Sequence, residues 1–193
     1  MSGAKEQYFE QVMQAARSGD PAAVDACMDC LEAAYREGRG VFVIGNGGSA
    51  SNASHFAQDL SKGAMPDLEK GKRFRVLSLT DNVAFITALA NDIGYERVFD
   101  LQLRQFAQHG DVLVAISGSG NSKNVLRAAE YAKQAGIAII AFTGFSGGAL
   151  LGMADIRVHV PLNDMCKAEA VHSILFHLIV DLLRERFARH AAT

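Results

Sequence analysis

Two short runs rich in glycine and hydroxyl side chains carry the chemistry that can be read first. One is Gly45-Asn46-Gly47-Gly48-Ser49-Ala50, and the other is Ser117-Gly118-Ser119-Gly120-Asn121-Ser122. In the second, three hydroxyls meet the free N–H groups that open a helix, at the positive end of its dipole. That combination cradles a phosphate. An N-cap needs one serine, whereas three at spacings of two and three favour an anion site. No lysine follows in the P-loop manner, which argues against a nucleoside triphosphate. The first run contains G-x-G-x-x-A, close to a dinucleotide fingerprint. That fingerprint also needs an acidic residue about 20 positions on, at the end of the next strand. Here the next strand ends at Ser78-Leu79, so NAD is set aside. A tight turn with positive φ accounts for one of the glycines, but not for the donors on Asn46 and Ser49.

A second set of residues is ionisable. His55 and Asp59 are four apart on a helical segment, so both lie on one face, as a metal site, an acid–base pair or a surface hydrogen bond requires. Glu169, His172 and His177 fall in an apolar stretch with Val171, Ile174, Leu175, Phe176, Leu178, Ile179 and Val180. Ionisable groups in such company need partners, as a network or as a site. His172 reads either as a satisfied core or interface histidine or as part of that site. His109 and His159 are isolated and are assigned nothing. Cys27 and Cys30 form a C-x-x-C inside a helical pattern with no second pair, and read as small core residues.

The elements that must position these groups alternate. Helices are expected over Gln7–Ser18 and from Pro21, capped by Asp20, to about Arg36, where Gly38 and Gly40 end the second. Strands are expected at Val41–Ile44, Arg75–Leu79, Asp111–Ser117, Ile137–Thr143 and Ile156–Val160. Between them, helices should run through Leu60, from the Asp81 cap to Ala90, over Tyr95–Gln108 and over Ser122–Ala135, with a loop at 61–73. A long helix, Lys167–Arg189, closes the chain. Apolar strands alternating with helices predict an α/β fold, a three-layer α/β/α sandwich around a five-stranded parallel sheet. It should form one domain over 1–193, with a helical extension at 1–38 and the core at 39–193.

The 193 residues are 49% hydrophobic with a net charge of -2. A nucleic-acid or membrane partner would call for a basic face or tail, and none is apparent. Three cysteines, an odd number, with no leader-like segment point to the reducing cytoplasm.

S-x-S-G-x-S after one strand, paired with G-N-G-G-S after an earlier one, resembles the sugar isomerase (SIS) domain. The likeness is closer to the phosphoheptose isomerases and runs from about Gly40 to Arg186. It takes in His55-Phe56-Ala57, Ala90-Asn91-Asp92 with Gly94, Gly110 to Leu113, Thr143-Gly144 with Gly147-Gly148, and Val171-His172 with His177. The resemblance implies that Asn46, Gly47, Gly48, Asn91, Asp92, Ser117, Gly118, Ser119 and Ser122, with Glu169, line a sugar-phosphate site. It implies a zinc ion on His55, Asp59, Glu169 and His177, and a homotetramer with active sites at subunit interfaces. It also implies isomerisation of sedoheptulose 7-phosphate to D-glycero-D-manno-heptose 7-phosphate, with Asp59 and His177 as the acid–base pair. The family usually has glutamate at Asp59 and glutamine at Glu169. Glu169 and His177 are eight residues apart, about 12 Å along a straight helix. They reach one ion only if the helix starts later or bends, or if ligands come from more than one subunit. The alternatives are a non-catalytic SIS scaffold of the kind that associates with the DnaA initiator, and an isomerase of another sugar phosphate.

Overall fold

The computed structural model describes residues 2–65, 67–69 and 72–191. Five short strands supply a wholly parallel sheet: β1 (Gly40–Gly45), β2 (Arg75–Ser78), β3 (Val112–Ser117), β4 (Ala138–Thr143) and β5 (Ile156–His159). Their spatial order is β2-β1-β3-β4-β5. Successive side chains of a strand point to opposite faces, and here both faces are covered. Val41, Val43, Val112, Val114, Ile140 and Phe142 enter one core with α1 (Ser2–Arg17), α2 (Pro21–Glu37), α3 (Gly48–Gln58) and α8 (Met165–Ala191). Phe42, Ile44, Leu113, Ala115, Ile139 and Ala141 enter the other with α5 (Asp100–Phe106), α6 (Lys123–Ala135) and α7 (Gly148–Met153). Burial on both faces is why the strands read as unbroken apolar runs.

The helix ends follow their local chemistry. Asp20 accepts from the Ala22 N–H at 2.9 Å ahead of Pro21, and Gly38 and Gly136 close α2 and α6 in the left-handed conformation.

Several boundaries differ from expectation. The first helix begins at Ser2, not Gln7. α4 (Val83–Asp92) is capped by Asn82, which accepts from the Phe85 N–H at 3.0 Å, while Asp81 accepts from Thr80 and Ser54. The single helix expected over Tyr95–Gln108 is a 3-10 turn, Tyr95–Arg97, followed by α5. There Arg97 and Arg104 both bond the buried Asp100 in the first turn. The expected loop at 61–73 starts as a π turn, Asp59–Gly63, and positions 66, 70 and 71 lie outside the described residues. α7 was not foreseen. Among the described residues, no helix is long and apolar enough to cross a membrane.

Candidate active site

Strand β1 is followed in space by β2 on one side and by β3 on the other. The loops leaving the carboxyl ends of β1 and β3 therefore diverge and leave a crevice, the place where open α/β sheets bind ligands. The two Gly/Ser runs are those loops. Together they line a pocket of about 380 Å³, formed by Asn46, Gly47, Gly48, Ser49, Ile116, Ser117, Gly118, Ser119 and Ser122, with Met165 and Glu169 from α8.

The serines are arranged to donate. Ser117 Oγ accepts from the Gly120 N–H at 3.2 Å, and Ser119 Oγ accepts from the Asn121 N–H at 3.3 Å. These bonds use lone pairs and leave the hydroxyl hydrogens unspent. Ser122 stands at the N-cap of α6 yet makes no capping hydrogen bond with its side chain. A cradle of hydroxyl donors at a helix N-terminus suits an acceptor-only anion.

Helix α7 buttresses this loop. The Leu150 N–H donates to Gly120 O at 3.0 Å, and the Ala149 N–H donates to Asn121 Oδ1 at 3.0 Å. On the opposite wall, Ser49 Oγ donates to Glu169 Oε1 at 3.2 Å. The Glu169 carboxylate lies so close to the start of α3 that a Cβ on Gly48 would stand 2.2 Å from Oε2. Glycine there is what lets the carboxylate meet the helix N-terminus.

Farther along α3 and α8 a second cluster forms. Asp59 Oδ2 lies 3.3 Å from both His55 Nε2 and His177 Nε2, and the two ring nitrogens are 3.4 Å apart. Their donor atoms all fall within 4.8 Å, close enough to hold one metal ion. Asp59 sits where α3 widens into the π turn, with the Ala64 N–H reaching back to Asp59 O at 3.0 Å. Such widened turns concentrate at functional sites.

An SIS-domain family model matches residues 6–144. The chain is 37% identical over 180 residues to a probable phosphoheptose isomerase of Thermoplasma acidophilum, covering 93% of this chain and 97% of that one. It is 42% identical over 157 residues to the phosphoheptose isomerase of Mycobacterium tuberculosis, covering 81% and 79%. The chain belongs to the phosphoheptose isomerase family of SIS-domain proteins. It is accordingly a sugar-phosphate isomerase. A solved phosphoheptose isomerase from Francisella tularensis has the same fold, with a TM-score of 0.87 at 31% identity over 96% of this chain and 99% of that one.

Against the family expectation, the fold brings Asn46, Gly47, Gly48, Ser117, Gly118, Ser119, Ser122 and Glu169 to one pocket, and His55, Asp59 and His177 to one cluster. Two placements differ. Glu169 is not in the metal-type cluster of its own chain. α8 is one helix from Met165 onward, so Glu169 and His177 stay about two turns apart, and Glu169 turns to Ser49 instead. Asn91 and Asp92 do not line the pocket of their own chain. They end α4, exposed, with Asn91 Nδ2 donating to Asp92 Oδ1 at 2.8 Å. Met165 and Ile116 were missed as pocket-lining residues. So was Asn124, which bonds Asn46 at 2.8 Å. Its signal was a polar residue in the apolar stripe Val125, Ala128, Ala132 of α6.

His172 is a core histidine. It is fully buried, its Nε2 lies 3.1 Å from Thr143 O, and the bond requires the Nε2–H tautomer. Nδ1 has no hydrogen-bond partner among the described residues. Burial, with a smaller contribution from nearby His159, pushes its pKa down to about 4 against the bond to Thr143, which raises it. The unfolded chain therefore binds a proton between pH 6.5 and 4 that the native state refuses. Stability should be full above pH 6.5 and fall by about 3 kcal/mol as the pH drops to 4. Urea midpoints across that range should show the loss, and His172→Gln should flatten it by a similar amount. An equally steep profile in the variant would assign the loss to other groups.

Proposed function

We propose that the chain interconverts sedoheptulose 7-phosphate and D-glycero-D-manno-heptose 7-phosphate, a ketose–aldose isomerisation assisted by zinc. The observation that carries this reading is the hydroxyl cradle at the α6 N-terminus facing the Gly47–Ser49 loop, in a chain whose relatives are named phosphoheptose isomerases. Ser117, Ser119 and Ser122 anchor the phosphate and so hold the sugar in register. Asn46, Gly47, Gly48 and Glu169 border the sugar, and Asn91 and Asp92 would join them from a neighbouring subunit.

The donor set supports zinc. Two imidazole nitrogens and one carboxylate oxygen, 3.3 to 3.4 Å apart, match ligand atoms around a tetrahedral ion with bonds of about 2.0–2.1 Å. His55, Asp59 and His177 would hold the ion, with a fourth position left open. Glu169 would complete the set only from another subunit. When bound, the ion would polarise the substrate carbonyl and stabilise the oxyanion that develops on it.

Proton transfer falls to Asp59 and His177. Both contacts to Asp59 converge on Oδ2, so Oδ1 can act as the base. The base takes a proton from C1 of the ketose, and the C–H electrons form the C1=C2 double bond of an ene-diol(ate). The carbonyl electrons move onto O2, and delivery of one proton to O2 and one to C2, with loss of the O1 proton, leaves the aldehyde at C1 and a hydroxyl at C2.

A homotetramer with shared sites is supported by what the single chain leaves uncovered. Helix α4 is apolar along V-A-F-I-T-A-L-A yet has no buried side chain. Ile174 and Leu178, exposed on α8, flank His177. The three free cysteines fit a reducing cytoplasm.

The test is to incubate the pure, zinc-replete protein with a panel of ketose phosphates, following products by NMR and assembly by light scattering. Conversion of the seven-carbon phosphate without ATP or NAD, by a species of four copies, is expected. No turnover of any ketose phosphate would defeat the reading, and an active monomer would defeat the shared site.

A further inference from the structure

We propose that Asn124 and Tyr95 are positioning residues that decide which end of the Asn46 amide faces the sugar phosphate, and that Tyr95 thereby latches the end of α4 to the pocket. This rests on reading the pocket as a sugar-phosphate site. The causal chain begins at a backbone group. In the first turn of α6, the Val125 N–H donates to Asn124 Oδ1 at 3.0 Å, which sets the orientation of the Asn124 amide. Asn124 is 2% exposed, so its polar atoms must be met by protein groups. Asn46 meets them reciprocally. Its Nδ2 donates to Asn124 Oδ1 at 2.8 Å, and its Oδ1 accepts from Asn124 Nδ2 at 2.9 Å. Reversing either amide would set oxygen against oxygen and N–H against N–H, so the pair holds one orientation.

Asn46 Oδ1 accepts once more, from the Tyr95 hydroxyl at 2.8 Å. An amide oxygen has two lone pairs and an amide nitrogen two hydrogens. Both lone pairs of Asn46 are now engaged, while one of its two N–H groups is not spent in the pair. Asn46 lines the pocket beside the serines. What the network presents there is a donor. The sugar bordering Asn46 carries a carbonyl acceptor and the neighbouring anion offers only acceptors, so an inverted Asn46 would set a carbonyl oxygen among groups that need a donor.

Tyr95 connects this amide to a distant element. It opens the 3-10 turn after Gly94, three residues beyond Asp92 at the end of α4. Tyr95 as a residue is 55% exposed, yet its hydroxyl reaches across to Asn46. α4 packs on the core only through the partly buried Ile86, Leu89 and Ala90, and this bond ties its carboxyl end to the site.

The test is a double-mutant cycle on kcat/KM for sedoheptulose 7-phosphate. Tyr95→Phe removes one oxygen from a half-exposed residue, so it should leave the urea midpoint in place and lower kcat/KM about fivefold, the usual worth of one hydrogen bond. Asn46→Ala removes the presented donor and should cost more. Adding Tyr95→Phe to Asn46→Ala should then cost nothing further, because Tyr95 acts through Asn46. Multiplicative losses in the double variant, or an unchanged kcat/KM in Tyr95→Phe, would overturn the proposal. Asn124→Leu should reproduce the non-additivity with Asn46→Ala. Its urea midpoint separates lost positioning from lost folding, and the Tyr95 cycle stands independently of it. If the wild type turns over no ketose phosphate, the proposed function fails on its own. The same cycle is then read in the dissociation constant of sedoheptulose 7-phosphate by calorimetry.

Discussion

Asp59→Asn should abolish turnover, lowering kcat by about 10²–10⁴-fold, the usual contribution of a positioned proton-transfer group. The substitution keeps the size of the side chain and removes its charge and basicity. Asp59 Oδ2 is the atom on which His55 and His177 converge, so a neutral amide there should also lower the zinc content of the purified protein. Glu169→Gln is the informative contrast. Glu169 lies in the pocket against Ser49 and Gly48, about two turns of an unbroken helix from His177. Its variant should keep its zinc and change only the kinetics. The measurement is kcat for both variants against added zinc, with metal content by mass spectrometry. If Asp59→Asn is active while Glu169→Gln is dead with its metal still bound, the base has been assigned to the wrong carboxylate. Loss of zinc from Glu169→Gln would instead mean that this residue reaches the ion from a neighbouring subunit.

Gly120→Ala should be the most damaging single change to the cradle. Gly120 has φ +65°, where a side chain costs about 1–2 kcal/mol. Its added Cβ would stand 1.9 Å from Gly147 O, a backbone atom at the start of α7. Neither loop can yield without breaking the Gly120 O and Asn121 Oδ1 bonds that hold them together. Strain of this kind belongs among the large destabilisations, about 3–5 kcal/mol. Urea denaturation should show it, and KM for the sugar phosphate should rise in the protein that remains folded. Ser119→Ala separates the hydroxyl from the backbone. It should leave the urea midpoint alone and weaken binding by about 10–100-fold, the worth of a hydrogen bond to a charged group. A Gly120→Ala protein of normal stability and normal KM would mean that the loop tolerates displacement and the cradle is not built as described.

Much of this site was legible in the chain because its parts are local. A run of three serines with a helix behind it carries its own anion chemistry whatever packs around it, since the donors and the dipole belong to one turn. His55 and Asp59, four apart on one helix, are likewise brought together by local geometry alone. Both readings located residues that the fold gathers, and the strand pattern predicted the sheet that places the two loops together.

The remaining relations join residues far apart in sequence. His177 meets Asp59 only because α8 packs on α3. The family resemblance assigned Glu169 to the same ion although its spacing from His177 is too long for a straight helix, and α8 is continuous and carries it to Ser49. Asn124 and Tyr95 gave no motif, because their role is to orient the amide of Asn46, 78 and 49 residues away. By itself the sequence determined the parallel α/β architecture, the two Gly/Ser loops that form the proposed phosphate cradle, and the family. Periodicity, glycine placement and helix N-termini act over a few residues and survive in any context. The tertiary structure alone decided that His177 joins His55 and Asp59, that Glu169 leaves them for the pocket, and how the Asn46 amide is paired. Those outcomes depend on directional contacts between separate helices, and an error of one turn, about 5 Å, is enough to break them.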